Sequence, residues 1–296
     1  MHLSGSITAL ATPFTTAGEI DFAAWCRLLD AQLAGGTRAV VVAGSTGEAA
    51  ALSDQEYARL IEAAVAQIGG RIPVLAGSGQ SNTAKTVAQT RLARESGADV
   101  ALVVTPPYVR PTQAGLVVHY QEVAEHGGLP VVLYNVPGRT GCDLLPETVA
   151  QLAVHPNIVG LKEARGDEPR WNALYPLASR QFALLSGDDP TFVRAIRGGA
   201  VGVISVASNV VPRAFAGICQ FLENSQFDEA AALDQRLQGL YEFLGVESNP
   251  IPVKAILQRL GVGAGLRLPL LSLSADHTGL ADRITEIIRN IETQLQ

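Results

Sequence analysis

Val100-Ala101-Leu102-Val103-Val104, a helical stretch over 112–126, and Val131-Val132-Leu133-Tyr134 form the passage that decides the fold. Both flanking runs are continuously apolar, as strands buried on both faces are. The stretch between them has helical length and stops before Gly127-Gly128. Two such strands joined through a helix lie parallel in one sheet that helices cover.

The same unit recurs in both directions. Strand-like runs are read at 7–12, 39–43, 73–76, 158–162, 183–186 and 202–206, which with the first two makes eight. Helical patterns separate them. Over 54–68, Ser53 stands as N-cap with Glu56 three residues on, a capping box. A second helix over 82–96 ends at Gly97, a residue suited to a C-cap, and Pro146 suits a first helical turn. Eight strands alternating with helices predict a (β/α)₈ TIM barrel. An open doubly wound sheet alternates in the same way, but no G-x-G-x-x-G turn follows the first strand. After about residue 212 no strand is legible, and helices are read at 213–223, 227–244, 251–260 and 277–295. The expected organisation is a barrel over 1–211 with its last helix near 212–223, and a helical C-terminal extension over 224–296 packed on it.

The chain has 296 residues, 47% hydrophobic and 17% charged. That composition excludes a disordered chain. Low charge is also a property of surfaces buried between subunits. A net charge of −6 and a pI near 5.4 leave no basic footprint for nucleic acid. The apolar runs are strand-length, too short for a membrane span, and polar residues interrupt the start of the chain, so no secretory signal is read. Cys26, Cys142 and Cys219 are odd in number and far apart, which argues against a disulfide framework or a zinc site. They are read as small buried hydrophobes in a cytoplasmic protein.

Active sites of this barrel lie at the C-terminal strand ends, so the strand list becomes a list of candidate residues. These ends carry Thr12-Pro13, Gly44-Ser45-Thr46-Gly47-Glu48, Gly77-Ser78-Gly79, Thr105-Pro106-Pro107-Tyr108, Tyr134 through Thr140, Lys162-Glu163, Ser186-Gly187-Asp188-Asp189 and Ser205. Hydroxyls and glycine dominate, with one lysine, Lys162, closing the run Ile158-Val159-Gly160-Leu161. That lysine is either an ordinary strand-end amine or a Schiff-base nucleophile. A low-dielectric barrel mouth favours the neutral, nucleophilic amine. The imine it forms with a ketone acts as an electron sink without metal or cofactor. Such chemistry needs a proton shuttle, for which Tyr134 is a candidate, although an isolated tyrosine there can simply pack. It needs a carboxylate cradle, which Ser45, Thr46 and the backbone of their turn can supply, although the turn also reads as a tight connection. Arg139 is a fixed cation able to hold a second carboxylate, or a structural ion pair.

Gly44-Ser45-Thr46-Gly47-Glu48, Tyr134-Asn135-Val136-Pro137-Gly138-Arg139-Thr140 and Ile158-Val159-Gly160-Leu161-Lys162-Glu163-Ala164 resemble the signatures of the dihydrodipicolinate synthase family, within the pyruvate-dependent N-acetylneuraminate lyase superfamily. The likeness runs along nearly the whole chain, through Gly70-Arg71-Ile72-Pro73-Val74, Leu185-Ser186-Gly187-Asp188-Asp189 and Glu247-Ser248-Asn249-Pro250. The resemblance implies that pyruvate condenses with Lys162, that the enamine attacks L-aspartate 4-semialdehyde, and that ring closure yields 4-hydroxy-tetrahydrodipicolinate. It implies a proton relay of Tyr134, Thr46 and a neighbouring subunit's copy of Tyr108. Thr46 then binds pyruvate, Ser45 keeps the hydroxyl of the family's first threonine, and Arg139 anchors the semialdehyde. Ile204 faces pyruvate with its backbone, and Gly187 contributes a backbone contact. It further implies no cofactor, no metal, and a homo-oligomer, a dimer of dimers in preference to a dimer.

Where many relatives bind lysine as a feedback inhibitor, the matching residues here depart from the pattern: Pro107 for a tyrosine, Lys85 for an acid, Ser81 for an asparagine, Asp54 and Tyr57 for histidines. A lost carboxylate and a gained cation predict weak or absent inhibition by lysine. The rival readings are another pyruvate-dependent aldolase of the superfamily and a non-catalytic keto-acid-binding homologue. Arg139 in its Gly-Arg-Thr setting disfavours the first, and retention of Lys162 and Tyr134 disfavours the second. His2, His119, His126, His155 and His277 lack ligand spacing and are read as surface or satisfied. Asp188-Asp189 is read as an N-cap pair.

Overall fold

In the computed structural model, which describes residues 3–296, eight parallel strands close into a barrel in sequence order. They are β1 (Gly5–Ala9), β2 (Ala39–Val42), β3 (Val74–Gly77), β4 (Val100–Val104), β5 (Val131–Asn135), β6 (Ile158–Glu163), β7 (Ala183–Ser186) and β8 (Gly202–Ser205). Each leads to a helix: α1 (Phe22–Ala34), α2 (Asp54–Ile68), α3 (Thr83–Glu95), α4 (Gln113–His126), α5 (Pro146–Leu152), α6 (Glu168–Leu174), α7 (Phe192–Gly198) and α8 (Pro212–Glu223).

Side-chain alternation sorts each strand into two environments. Ile7, Val41, Leu75, Leu102, Val132, Leu185 and Ile204 fill the barrel interior. Their neighbours Val40, Val42, Val103, Leu133, Leu161 and Leu184 pack outward against the helices. Both faces exclude water, which is why the strands read as continuous apolar runs. Around the rim the caps are chemical. Ser53 accepts from the Glu56 N–H at 3.2 Å and the Glu56 carboxylate accepts from the Ser53 N–H at 2.9 Å, a reciprocal cap whose loss costs about 1 kcal/mol.

The first strand starts two residues earlier than the sequence reading and stops at Ala9. Beyond it the ladder passes to a side chain, because the Ala11 N–H donates to Asn209 Oδ1 at 3.0 Å. The eighth strand ends at Ser205 because the Val206 N–H turns to Asp189 Oδ2.

The extension holds α9 (Phe227–Gln235), α10 (Gln238–Leu244), α11 (Ile251–Arg259) and α12 (Ala275–Gln294). The single helix expected over 227–244 is broken. The Arg236 and Leu237 N–H groups bond three residues back instead of four, and the tightened turn carries Leu237 fully into the core. The helix α12 packs on α8, α10 and α11. Three ion pairs tie the extension to the barrel among the described residues: Arg267 to Glu56 of α2, Glu292 to Arg213 of α8, and Lys254 of α11 to Glu48 of the loop after β2, the one in which both partners are buried. The Lys254 amine also lies 4.2 Å from the centroid of the Phe14 ring. Burial pushes its pKa down, and the Glu48 carboxylate opposes that shift. Among the described residues no helix is long and apolar enough to cross a membrane.

Candidate active site

The register of β5 on β6 sets Tyr134 beside Lys162 and Asn135 beside Glu163. Tyr134 belongs to the interior cluster, so the same alternation turns Lys162 into the barrel mouth. Lys162 is 4% exposed, and its Nζ lies 4.3 Å from the centroid of the Tyr134 ring. Gly187, just past β7, shapes the slot: a Cβ there would meet Lys162 Cε at 2.7 Å and Cγ at 3.0 Å. The glycine's N–H is fixed to the Glu163 carbonyl at 2.7 Å.

The chain has only three lysines, Lys85, Lys162 and Lys254. Lys85 is exposed and Lys254 is held by Glu48. Among the described residues Lys162 forms no salt bridge. It is the one lysine that is both buried and free of a carboxylate, the condition an amine nucleophile needs.

A cavity of about 660 Å³ reaches Tyr134, the residue beside Lys162 in the strand register. Tyr134, Arg139, Ser45 and Asn249 are among the residues that line it. The Ser45 turn leads to the single 3₁₀ turn Ala49–Ala51. The N–H groups of Gly47, Glu48 and Ala49 fold back on the turn's own carbonyls, while those of Ser45 and Thr46 donate to no backbone carbonyl among the described residues. The turn thus keeps two donors for an anion. Thr46 is buried and its Oγ1 accepts from Asn249 Nδ2 at 3.0 Å.

Arg139 sits on the one-turn helix Pro137–Thr140. Its guanidinium is exposed and, among the described residues, not ion-paired; Nη2 donates to the Asn249 carbonyl at 3.1 Å. The charge is therefore steered but not neutralised. Ile204 lies fully buried in the interior on β8. Tyr108 stands apart. It is 92% exposed, with φ of 75°, and its N–H donates to the Thr140 carbonyl at 3.1 Å. The chain brings Lys162, Tyr134 and Gly187 together, joins Thr46 and Arg139 through Asn249, and points Tyr108 away from its own barrel.

Two sets of residues were missed in the sequence. Asn249 carried no assigned role, because its partners are Thr46 and Arg139, far away in the chain. The second set is Asn135 with Glu163, and here a signal existed. Each directly follows a site residue, so alternation sends a polar side chain into the helix layer, where it must find partners.

Three other expectations need correction. Asp188 makes no side-chain cap. Asp189 is buried and its Oδ2 accepts from the Val206 and Ala207 N–H groups at 3.1 and 2.7 Å, bracing the end of β8. Burial pushes its carboxyl up to about 6, against those two hydrogen bonds. His119 is neither exposed nor satisfied: Nδ1 lies 3.0 Å from Thr83 Oγ1, while Nε2 is buried without a partner. Burial lowers its pKa to about 4. His2 lies outside the described residues. Cys142 and Cys219 are buried, but Cys26 is only half-buried. Of the positions tied to lysine inhibition, Tyr57, Ser81 and Pro107 line the same cavity, and Asp54 and Lys85 are exposed.

Comparison with known proteins finds relatives along nearly the whole chain. The model of the Dihydrodipicolinate synthetase family matches residues 2–287. A 4-hydroxy-tetrahydrodipicolinate synthase of Xanthomonas axonopodis pv. citri is 63% identical over 284 residues, 96% of this chain and 94% of that protein. One of Stenotrophomonas maltophilia is 61% identical, covering 99% of this chain and 98% of that one. Among solved structures, the chloride-inhibited dihydrodipicolinate synthase of Acinetobacter baumannii complexed with pyruvate superposes with a TM-score of 0.94 at 39% identity, covering 97% of this chain and 99% of that chain. The enzyme of Cyanidioschyzon merolae with lysine bound gives 0.92 at 35% identity, covering 98% and 99%.

Proposed function

The chain belongs to the dihydrodipicolinate synthetase family, and on that premise we propose that Lys162 is its Schiff-base residue in the condensation of pyruvate with L-aspartate 4-semialdehyde. The chain is a lyase and catalyses the reaction for which its relatives are named, the formation of 4-hydroxy-tetrahydrodipicolinate. The observation that carries the residue assignment is the state of its lysines. Lys162 alone is buried without a carboxylate, at a strand end, 4.3 Å from the Tyr134 ring centroid.

The steps follow from that placement. The Lys162 amine adds to the pyruvate ketone and water leaves, giving an iminium. The Ser45 and Thr46 donors hold the pyruvate carboxylate, with the Ile204 and Gly187 backbone forming the opposite wall. Loss of a methyl proton gives the enamine, and Tyr134 with Thr46 moves the protons. The enamine carbon attacks the aldehyde, whose carboxylate Arg139 holds. The substrate amine then adds to the imine carbon and expels Lys162. No metal or cofactor takes part in any step. Because Tyr108 projects from its own barrel, the relay is completed by a neighbouring subunit's copy, which makes the working form a homo-oligomer, a dimer of dimers in preference to a dimer, in the cytoplasm. Residues 224–296 serve this site as well, since the extension brings Asn249 to Thr46 and Arg139.

Borohydride reduction with pyruvate followed by peptide mass mapping tests the assignment. An adduct on Lys162 is expected; one on Lys85 or Lys254 refutes it. A coupled assay with aspartate semialdehyde beside N-acetylneuraminate and keto-deoxy sugar acids tests the second substrate. Lysine inhibits this enzyme weakly or not at all, because Ser81 and Pro107 on the cavity wall offer no carboxylate and the exposed Lys85 repels a cation. Strong inhibition at saturating lysine overturns that reading.

A further inference from the structure

Behind the reacting pair lies a second layer that the reaction does not touch. Asn135 and Glu163, one residue beyond Tyr134 and Lys162, face the helix layer and are fully buried. The Asn135 amide donates to both Glu163 oxygens at 3.1 Å and to Asp143 Oδ1 at 2.8 Å, and its oxygen accepts from the Leu144 N–H at 2.9 Å. Arg170 Nε donates to Glu163 Oε2 at 2.8 Å and its Nη2 lies 3.2 Å from Asp143 Oδ1. Arg165 closes the knot, with its N–H on Glu163 at 2.8 Å and Nη1 on Asp143 at 2.8 Å. Burial pushes the Glu163 carboxyl up, and the Arg170 charge leads the interactions that oppose it.

Two carboxylates face two guanidiniums here, and each buried oxygen named above has a partner. A buried network of this kind rigidifies what it joins, and this one joins three things. It crosses from β5 to β6 at the register of Tyr134 and Lys162. Through Asp143 and Leu144 it holds the far end of the 136–144 segment that carries Arg139. Through Thr140 in that segment it reaches the backbone of Tyr108. The interior offers little substitute, since Lys162 lies in a slot bounded by Gly187 and the Tyr134 ring.

We propose that Glu163, acting through Asn135 and Arg170, is a positioning residue that sets the approach of the Lys162 amine to the keto acid and the placement of the Arg139 turn. This rests on the reading of Lys162 as the Schiff-base lysine. Glu163→Gln keeps the shape and removes the charge that Arg170 holds.

The test is the rate of borohydride trapping of pyruvate by the full-length enzyme, measured per folded molecule well below the melting temperature, with the KM for the aldehyde measured beside it. A misplacement near 1 Å costs about 100-fold, so Glu163→Gln is expected to slow trapping by at least ~10-fold and to raise the KM for the aldehyde. A purely structural role lowers the melting temperature and leaves both values at wild type, and that result overturns the proposal. If Glu163→Gln does not fold, Asp143→Asn at the half-buried edge removes the ion pairs to Arg165 and Arg170. It is expected to slow trapping in the same direction, and an unchanged rate again overturns the proposal. Mapping of the wild-type adduct separates the two levels: wild type that traps elsewhere sinks the reading of Lys162, whereas wild type that traps on Lys162 with variants that match it sinks only the role of Glu163.

Discussion

Gly187→Ala separates catalysis from stability at this site. The new Cβ would stand 2.7 Å from Lys162 Cε, 3.0 Å from Cγ and 3.3 Å from the Glu163 carbonyl oxygen. Carbon atoms settle at about 3.5–4.0 Å, so the lysine stem must move by roughly 0.8 Å or more. The backbone tolerates alanine, since Gly187 does not use a positive φ, and its N–H bond to Glu163 is kept. The atoms that yield belong to a flexible side chain, so overpacking is expected at or below the low end of the usual ~1–3 kcal/mol. The reacting amine is at the end of that same stem, and a shift near 1 Å costs on the order of 100-fold in rate. Stopped-flow trapping of pyruvate with borohydride, together with kcat for product formation, is the assay, and thermal melting is the control. A variant that melts within a few degrees of wild type and traps pyruvate roughly 30- to 100-fold more slowly supports the geometry. Trapping within twofold of wild type refutes the claim that Gly187 sets the lysine's position.

Arg139→Ala removes a cation whose one hydrogen bond among the described residues is to the Asn249 carbonyl; a lost charge-assisted carboxylate contact of about 1.5–3 kcal/mol raises the KM for the aldehyde by roughly 10- to 100-fold. Pyruvate trapping should be spared, and an equal loss in trapping contradicts the assignment. Lys254→Met leaves the buried Glu48 without its ion-pair partner and with only the Arg267 N–H on its Oε2, a loss of about 3–5 kcal/mol that lowers Tm by on the order of 10 °C in a calorimeter; an unchanged Tm refutes it. His119 has its pKa lowered to about 4 by burial, so it stays neutral when folded while the unfolded residue protonates near 6.5. The unfolded state therefore binds more protons between those values, and stability falls as pH drops from about 6.5 to about 4; denaturant titrations should lose this dependence in His119→Gln. Glu56 is held at about 2, chiefly by its hydrogen bond with Arg267. Its folded pKa lies below the unfolded one, so its contribution is present above about 4.5 and fades as pH falls towards about 2. The stability gap between wild type and Glu56→Gln should close across that window.

The barrel was legible because two-sided burial forces continuous apolar runs, and β4 and β7 were read to the residue. Boundaries failed where a strand end is decided by a distant side chain: Asn209 takes over the ladder after β1, and Asp189 takes it over after β8. The break at Arg236-Leu237 was hidden because each half keeps a helical period, and only the demand to bury Leu237 separates them.

Lys162 follows the same division. Its place at the end of an apolar strand, the tyrosine on the neighbouring strand and the hydroxyl-rich turn at Ser45 were all written in the sequence, since strand ends and alternation are local properties. Three things needed the tertiary structure. Asn249 reaches Thr46 across 203 residues, a pairing no periodicity encodes. The other buried lysine, Lys254, is excluded as nucleophile by Glu48, 206 residues away. The outward-facing layer of Asn135, Glu163, Asp143, Arg165 and Arg170 acquires a purpose only when β5, β6 and α6 come together. The physical reason is common to all three: a sequence reports which face a side chain takes, whereas its partner is chosen by chain closure over distances that no local pattern spans.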